Sequence, residues 1–373
     1  MTAHRLALYL TSRSLLYFRH VIGHMPVDDV DILVPTALLQ EGRDGCPAFG
    51  ELEDMGYRFS AVEQAGGSYG AVGVAGFQDL KQHPALASLA GRHVFLLHAS
   101  SFIFLPDDAP FTHVLCQFPR QINLGEVPLS DRVQEVYPAG PYQLGEWASL
   151  RHLPKKLRLE LLQKELGTAV PPDRELILYC GGLHDQPDEQ VDAVRQLADT
   201  RTVLFKPFYD HPAYEALSDI AGTHLIRNSV QVSPNAMRFA ADIILASPLS
   251  GVFTTCLLLR QRVIPFFTWH QSFVRDRDAF APWKARLPLE NTLPEVHIAR
   301  KLGGPYDNKT LPVLKKHLSN LCYWQNYGTA QEALLRSFFG DYRIEGAAMR
   351  AARGLLNVAR YGVFAPEGQT ETA

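Results

Sequence analysis

The sequence predicts an α/β protein built from two doubly wound parallel-sheet domains in tandem. Three observations lead to this prediction. Short apolar runs bounded by polar residues, glycine or proline alternate with helix-length segments, as expected for parallel strands joined by crossover helices. This pattern occurs twice, once on each side of a charged helical segment, Lys155–Leu166. The length of 373 residues is also enough for two hydrophobic cores of ordinary size.

Composition limits the class of function. The chain carries 36 Lys and Arg against 39 Asp and Glu, so its net charge of −3 does not favour a nucleic-acid partner. No apolar stretch approaches the roughly 20 residues that cross a bilayer, and the first 16 residues contain Arg13 and lack a signal-peptide cleavage site. The five cysteines form no Cys-x-x-Cys pair, which argues against a zinc knuckle or a disulfide framework. We therefore expect a cytoplasmic protein.

Five apolar runs in the first third are predicted to be buried strands. They are rich in Val, Leu, Ile and Phe, and the segments between them are long enough for crossover helices. The runs cover residues 5–11, 30–35, 57–62, 93–98 and 113–118.

The second half repeats the strand–helix alternation with clearer helix signals. Pro187 stands at a first helical position, and Ser233-Pro234 is typical of an N-cap followed by proline. Strands are predicted over residues 175–180, 202–206, 223–226, 242–246 and 263–267. Helices are predicted over residues 188–198, about 211–220, 235–240 and 253–260.

Two further helical regions define the predicted domain limits. Lys155–Leu166 ends at Gly167, and its charges are either a solvated face or a basic patch that steers the protein to an anionic membrane surface. Thr329-Ala330-Gln331-Glu332 matches a capping box and predicts the start of a long helical region reaching about Tyr361, followed by a frayed tail. We expect one domain over residues 1–150, a second over 151–335, and a helical region and tail over 336–373.

Chemistry is expected in the loops that follow the strands, because open parallel sheets bind ligands beyond their carboxyl ends. Ser247, Ser250 and Gly251 follow one such strand and precede a helix, whose free N–H groups and partial positive charge suit a phosphate. Hydroxyls of Thr254 and Thr255 can add donors. The alternative is that the serines only cap the helix.

Lys206 ends the apolar strand at residues 202–206 and is expected to face the ligand, where its charge can neutralise a diphosphate leaving group. The alternative is a lysine that extends from a strand end into solvent. His211 lies at the start of the helix predicted to follow and is a second candidate for contact with the diphosphate-bearing ligand.

His98 is the candidate general base, because it ends an apolar strand, precedes small residues and can accept a proton near neutral pH. The alternative is a structural histidine. His184, with Asp185 beside it, is the second candidate for this role. Arg120 can contact an anionic acceptor, although it can also be a simple surface arginine.

No motif for a bound cofactor or metal is present. The glycine-rich segment at residues 66–70 lacks the GxGxxG spacing, and the chain has no P-loop lysine motif, His-Glu-x-x-His or Gly-x-Ser-x-Gly. We expect no metal site and no cofactor beyond a nucleotide-activated substrate.

Between Val136 and Phe267 the sequence resembles the CDP-glycerol glycerophosphotransferase (teichoic-acid polymerase-like) family of GT-B enzymes. Lys206-Pro207-Phe208 is similar to the family's Lys/Arg-Pro-His element, with Phe208 in place of the histidine. Residues 241–250 (ADIILASPLS) resemble its Ala-Asp-Ile-Leu-Ile-Thr-Asp-Tyr-Ser-Ser element, with Ser247 in place of the aspartate. The amino-terminal His-Gly-Thr element corresponds at best to His98-Ala99-Ser100. Three further segments follow the family's order: VYPAGPYQLGEW, ELILYCGGLHD and RQRVIPF.

This resemblance implies a GT-B fold, with two Rossmann-like domains facing each other across a cleft. It implies an amino-terminal acceptor domain over residues 1–150 and a carboxyl-terminal nucleotide-donor domain over 151–335. It also implies a transferase that moves a glycosyl or alditol-phosphate unit from a nucleotide-activated donor to a glycan or lipid-linked acceptor in bacterial surface polysaccharide synthesis. Peripheral association with the inner membrane face is a further expectation. Two alternatives stay open: a nucleotide-sugar epimerase or hydrolase of the same fold, and a non-catalytic nucleotide- or glycan-binding protein.

Overall fold

The computed structural model describes residues 4–366 with interruptions and divides into two compact units. Unit 1 comprises Met1–Ala99, Ile103–Ala148 and Asp341–Ala373, and unit 2 comprises Ser100–Phe102 and Ser149–Gly340. The residues not described inside this span are 77, 98–99, 104, 106–107, 123–128, 145–149, 151, 168, 172, 183–184, 228–233, 249 and 267–293. Each unit is built on its own parallel sheet, so the predicted α/β class with two doubly wound halves is confirmed.

The sheet of unit 1 has seven parallel strands in the order β3-β2-β1-β4-β5-β6-β7. Successive residues of the central strand β1 point to opposite faces, so Leu6 and Leu8 enter one hydrophobic core while Ala7 and Tyr9 enter the other. The strands are β1 Leu6–Tyr9, β2 Val30–Val34, β3 Phe59–Ala61, β4 Ala71–Val74, β5 His93–Leu96, β6 His113–Cys116 and β7 Glu135–Pro138.

Strand β4 lies at the centre of this sheet but has no clear sequence signal. Its sequence, AVGV, is short and contains glycine, which normally weakens a strand. A Cβ on Gly73 would come within 2.8 Å of Leu8 Cδ2 and 3.1 Å of Leu96 Cδ1, so the glycine makes room for large neighbours. The strand prediction missed β4 because the reason for this glycine lies in the packing of distant residues.

Within the part of unit 1 that the structure describes, six helices cover the two faces of the sheet. The last of them comes from the end of the chain, where Ala351, Leu355 and Val358 are fully buried in the same core as α1. The region 336–373 therefore supplies a core helix to unit 1. The helices are α1 Ser12–Ile22, α2 Thr36–Gly45, α3 Pro47–Asp54, α4 Asp79–Gln82, α5 Pro84–Leu89 and α13 Ala347–Tyr361.

The sheet of unit 2 has five parallel strands in the order β10-β9-β8-β11-β12. The strands are β8 Leu176–Cys180, β9 Thr202–Lys206, β10 Thr223–Leu225, β11 Ile243–Ala246 and β12 Val263–Pro265. The helices are α6 Lys155–Leu166, α7 Pro187–Ala198, α8 Pro234–Ala240, α9 Gly251–Leu258, α10 Pro294–Lys301, α11 Leu311–Leu318 and α12 Leu321–Leu334. All five strands of this half agree with the sequence prediction to within two residues at each end.

Two helix predictions for unit 2 are wrong. The capping-box pattern at Thr329 lies inside α12, which instead begins after Asn320, and the Thr329 hydroxyl donates back to the carbonyl of Gln325 at 3.2 Å. The helical region predicted to follow is present as separate helices, because the backbone turns at Gly340, whose φ of 69° is left-handed. The helix predicted over 211–220 is a shorter 3₁₀ segment, Pro212–Leu217.

Among the helices that the structure describes, none combines the length and apolar character needed to cross a membrane.

Candidate functional site

The carboxyl edge of the unit 2 sheet brings most of the predicted donor residues together. The strand registers pair Cys180 with both Lys206 and Ala246, and Ala246 with Pro265, so these four strand ends form one row. The chain leaves β8 toward β9 on one side, while β11 lies on the other side of β8. Such a switch point opens a crevice at the strand ends, which is where doubly wound sheets bind ligands.

The loop after β8 begins at this crevice with a glycine turn that packs closely against the loop after β11. A Cβ on Gly182 would lie 2.8 Å from the Cβ of Ser247, so a side chain here would push the β8 and β11 loops apart. The Gly182 N–H donates to Asp185 Oδ2 at 2.7 Å, and Gln190 Nε2 donates to the same oxygen at 3.1 Å. Tyr214 in turn donates to Gln190 Oε1. This buried network holds the turn, and it gives Asp185 a structural task that the sequence did not indicate.

Helix α9 starts at the crevice with a capped N-terminus. Ser250 Oγ accepts from the Val252 N–H at 3.1 Å, as the capping alternative expects. Thr254 and Thr255 donate their hydroxyl hydrogens to the carbonyl of Gly251, at 3.3 and 2.6 Å. Among the described residues, the donors without an acceptor at this helix start are the Gly251 N–H and the Ser250 hydroxyl. These two donors, and not the threonine hydroxyls, can face an anion.

Two cations lie near the end of β8. Lys206 is half-buried at the end of β9, and Arg238 of α8 is only 4% exposed. Burial raises the pKa of the Cys180 thiol, and the positive charges of Lys206 and Arg238 partly oppose this. Burial likewise raises the pKa of Cys256 to about 12, against the charge and hydrogen bond of Arg238. Both thiols are therefore protonated and unreactive at neutral pH.

Ser247 and His211 differ in how they relate to this edge. Ser247 is 7% exposed, and its carbonyl accepts from the Ser250 N–H at 2.9 Å, which closes the turn before α9. His211 is exposed and caps the 3₁₀ segment, because its Nδ1 accepts from the Ala213 N–H at 3.2 Å. The imidazole of His211 thus has a local structural role.

Two of the other predicted residues, His98 and His184, lie outside the described residues. Arg120 is half-buried in the turn after β6 and belongs to unit 1.

One carboxyl group that the sequence did not single out is deeply buried in unit 2. Glu295, in the first turn of α10, accepts from the Phe102 N–H at 3.0 Å. Burial raises its pKa to about 7, although backbone hydrogen bonds from Glu295 itself and Phe102 oppose the shift. Ser100 and Thr255 share a hydrogen bond of 2.7 Å between their hydroxyls, so the segment Ser100–Phe102 is held to unit 2 at two points.

The part of the chain that the structure describes contains no group of three or more His, Cys, Asp or Glu side chains arranged to hold a metal ion.

Comparison with solved structures identifies the fold class. A variant of the wall teichoic acid polymerase TagF matches with a TM-score of 0.58 and 11% identity, covering 96% of this chain and 90% of that one. The UDP-GlcNAc 2-epimerase from Neisseria meningitidis, bound to UDP-GlcNAc, matches with a TM-score of 0.56 and 12% identity, covering 94% of this chain and 99% of that one. No protein-family model matches the chain, and no curated protein sequence does. The chain has the GT-B fold, which confirms the fold class that the sequence resemblance implied, with a Rossmann-like sheet in each unit.

Proposed function

We propose that the protein is a nucleotide-dependent transferase of bacterial surface polysaccharide synthesis. It moves a glycosyl or alditol-phosphate unit from a nucleotide-activated donor to a glycan or lipid-linked acceptor. The observation that carries this proposal is the carboxyl edge of unit 2, where Lys206 and the capped start of α9 flank the glycine turn after β8. The likeness of the fold to a teichoic acid polymerase supports the same class of reaction.

The donor diphosphate binds in this crevice. Lys206 and Arg238 supply positive charge, and the Gly251 N–H and Ser250 hydroxyl donate hydrogen bonds at the helix start. Because these groups are held in place by the sheet and the capped helix, they stabilise the phosphate charge that develops as the donor bond breaks.

His98 is the general base of the proposed reaction, and His184 is the alternative. The base removes the proton of an acceptor hydroxyl as the oxygen attacks the donor. Arg120 contacts an anionic group of the acceptor. No cofactor or metal takes part in this scheme.

Isothermal titration calorimetry with a panel of CDP-alcohols and nucleotide sugars tests the donor site. Lys206→Ala removes a charge-assisted contact of about 1.5–3 kcal/mol, so the affinity for the bound nucleotide falls at least about tenfold. Lys164→Ala, which removes an exposed lysine of α6, is the matched control and leaves the affinity unchanged. Equal nucleotide affinity in the Lys206 variant and the wild type would reject this site.

The epimerase alternative has its own support, because the fold matches a UDP-GlcNAc 2-epimerase as well as the polymerase. The two functions differ in their need for an acceptor. An epimerase or hydrolase changes the nucleotide sugar when no acceptor is present, whereas a transferase releases nucleotide at an appreciable rate only with acceptor. Following nucleotide release and sugar conversion with and without acceptor therefore separates them.

Peripheral membrane association is proposed through helix α6. Lys155 is paired with Asp242 at 2.7 Å, which leaves Lys156 and Lys164 exposed beside the exposed side chains of Leu157 and Leu161. Sedimentation with vesicles containing anionic phospholipid tests this role. Replacing both leucines by serine should release the protein into the supernatant, and an unchanged bound fraction would contradict the proposal.

A further inference from the structure

A buried amide in unit 2 links two of the loops at the carboxyl edge of the sheet. Gln190, on α7, lies between Asp185 in the loop after β8 and Tyr214 in the 3₁₀ segment after β9, and all three side chains are buried. The glycine turn, Gly181-Gly182, belongs to the same group, because Asp185 accepts from the Gly182 N–H. The proposed function assigns no task to Gln190.

The partners of Gln190 fix the direction in which its amide points. Asp185 Oδ2 accepts from the Gly182 N–H at 2.7 Å, so this oxygen is an acceptor, and the amide group that faces it at 3.1 Å is the Gln190 Nε2 donor. Gln190 Oε1 then accepts from the Tyr214 hydroxyl. Burial, followed by the charges of nearby ionisable groups, raises the pKa of Tyr214, so the phenol keeps its proton and stays a donor. A flipped amide would place two acceptors against each other.

The same amide packs against the start of the glycine turn. A Cβ on Gly181 would come within 2.5 Å of Gln190 Nε2, so Gln190 occupies the space that a side chain would need. The Gly181 N–H donates to the carbonyl of Lys206 at 2.9 Å, and the same Cβ would lie 3.4 Å from Pro207 Cα. Gln190 therefore contacts the turn at the point where the turn is bonded to the end of β9.

The second glycine of the turn packs against the loop before α9. A Cβ on Gly182 would lie 2.8 Å from Ser247 Cβ and 3.0 Å from Ser247 Oγ. The Ser247 carbonyl accepts from the N–H of Ser250, which caps α9, at 2.9 Å. The glycine turn is thus in contact with the end of β9 through Gly181 and with the loop that starts α9 through Gly182.

A residue that holds this turn sets the spacing between the groups assigned to the donor diphosphate. We propose that Gln190 is a positioning residue of the donor site. Its amide, fixed by Asp185 and Tyr214, holds the glycine turn so that Lys206 and the start of α9 contact one diphosphate together. Because Gln190 is only 1% exposed, it acts through the turn and not by contact with the ligand. This inference rests on the proposed function, which supplies the ligand.

Calorimetry with the tightest-binding nucleotide of the panel tests this role at pH 8.5 and at pH 5.5, with the wild type measured at the same pH. Gln190→Met keeps the length of the side chain but offers no amide donor or acceptor. The dissociation constant of this variant should therefore rise about tenfold at both pH values. Partial unfolding lowers the binding stoichiometry, whereas a displaced turn raises the dissociation constant of the folded molecules, so the two effects are measured separately.

Gln190→Glu adds a pH-dependent rescue. At pH 8.5 the new carboxylate faces Asp185 as a second acceptor, so the nucleotide affinity should fall. Two carboxylates at hydrogen-bond distance raise the pKa of one of them, so the new carboxyl should be protonated at pH 5.5. It can then donate to Asp185 and accept from Tyr214, and the affinity should return to within about twofold of the wild type. Asp192→Asn, at an exposed position of α7, is the matched control and should bind as the wild type does at both pH values.

Tyr214→Phe provides a second route if Gln190→Met does not fold. It removes only the phenol oxygen and should weaken nucleotide binding in the same direction by a smaller factor. Wild-type affinity in folded Gln190→Met, or in Tyr214→Phe where that is the variant measured, would overturn the positioning role and leave the proposed function standing. Equal weakness of Gln190→Glu at both pH values would also overturn it. A wild-type protein that binds no nucleotide of the panel would instead reject the proposed function, and the inference with it.

Discussion

The carboxyl edges of the two sheets are alike in topology but carry different side chains. Both sheets place their fourth strand in sequence beside their first, and in both a glycine at this edge lies against a polar side chain. The edge of unit 2 has Lys206, the buried Arg238 and the N–H groups of a helix start, together with the carboxyl of Asp185. The edge of unit 1 has the buried phenol of Tyr9 beside the imidazole of His83. The same topology thus places different chemistry at the two edges.

The largest expected effect is on turnover in a His98 variant, and it distinguishes loss of catalysis from loss of nucleotide binding. His98→Ala should lower turnover by about 10²–10⁴, because general-base assistance is worth about that factor. Nucleotide affinity should stay near the wild-type value, since the proposed diphosphate contacts belong to unit 2. Steady-state kinetics and calorimetry on the same preparation measure both. Preserved turnover with reduced thermal stability would show a structural histidine instead and would move the base assignment to His184.

A second contrast concerns buried and exposed carboxyls. The folded-state pKa of Glu295 is about 7 against an ordinary value of 4.5, so between those pH values the folded protein holds a proton that the unfolded chain has released. Glu295 therefore makes stability fall as pH rises from about 4.5 to 7, by about 3 kcal/mol in all.

Glu295→Gln should remove this pH dependence, so above pH 7 the variant should be more stable than the wild type by up to about 3 kcal/mol. Denaturant unfolding of both proteins across the range from pH 4.5 to 8 measures the difference. Glu53→Gln, at an exposed position, is the control and should follow the wild-type profile. An identical profile for Glu295→Gln would contradict the buried, protonated carboxyl.

The two glycine turns allow each edge to be broken separately. Gly182→Ala places a Cβ against Ser247, and Gly76→Ala places one against Asp79, so each should cost about 1–3 kcal/mol of stability through overpacking. Gly182→Ala should also weaken nucleotide binding, whereas Gly76→Ala should leave the nucleotide affinity intact. Equal loss of nucleotide affinity in the two variants would show that the effect does not come from the unit 2 edge.

The smallest effect decides between capping and phosphate binding at Ser250. Ser250→Ala and Asn320→Ala each remove the N-cap of a unit 2 helix and should each cost about 1 kcal/mol of stability. If Ser250 also donates to the diphosphate, only its variant should show lower nucleotide affinity in calorimetry. Equal nucleotide affinity in the two variants would leave Ser250 as a cap alone.

The sequence predicted the carboxyl edge of unit 2 better than the rest of the candidate site. Lys206, Ser250 and Gly251 could be placed because strand ends and helix starts have local signals such as apolar runs, proline and small polar residues. Arg238 and Glu295 could not, since an arginine or glutamate in a helix looks the same in sequence whether packing buries it or leaves it exposed. The capping-box pattern at Thr329 predicted a wrong helix start for a related reason. A short motif does not show that its residues already belong to a longer helix.

By itself, the sequence determined the two parallel sheets, most of their strands and the helix that separates the two halves. These features follow from apolar periodicity and from the glycine, proline and polar residues that bound each strand or helix. Only the tertiary structure decided that glycine-containing β4 is a central strand, that the last helix completes the core of unit 1, and that Tyr9 meets His83 from 74 residues away. These features depend on space and hydrogen-bond partners supplied by residues far apart in the chain, and no local pattern specifies such partners.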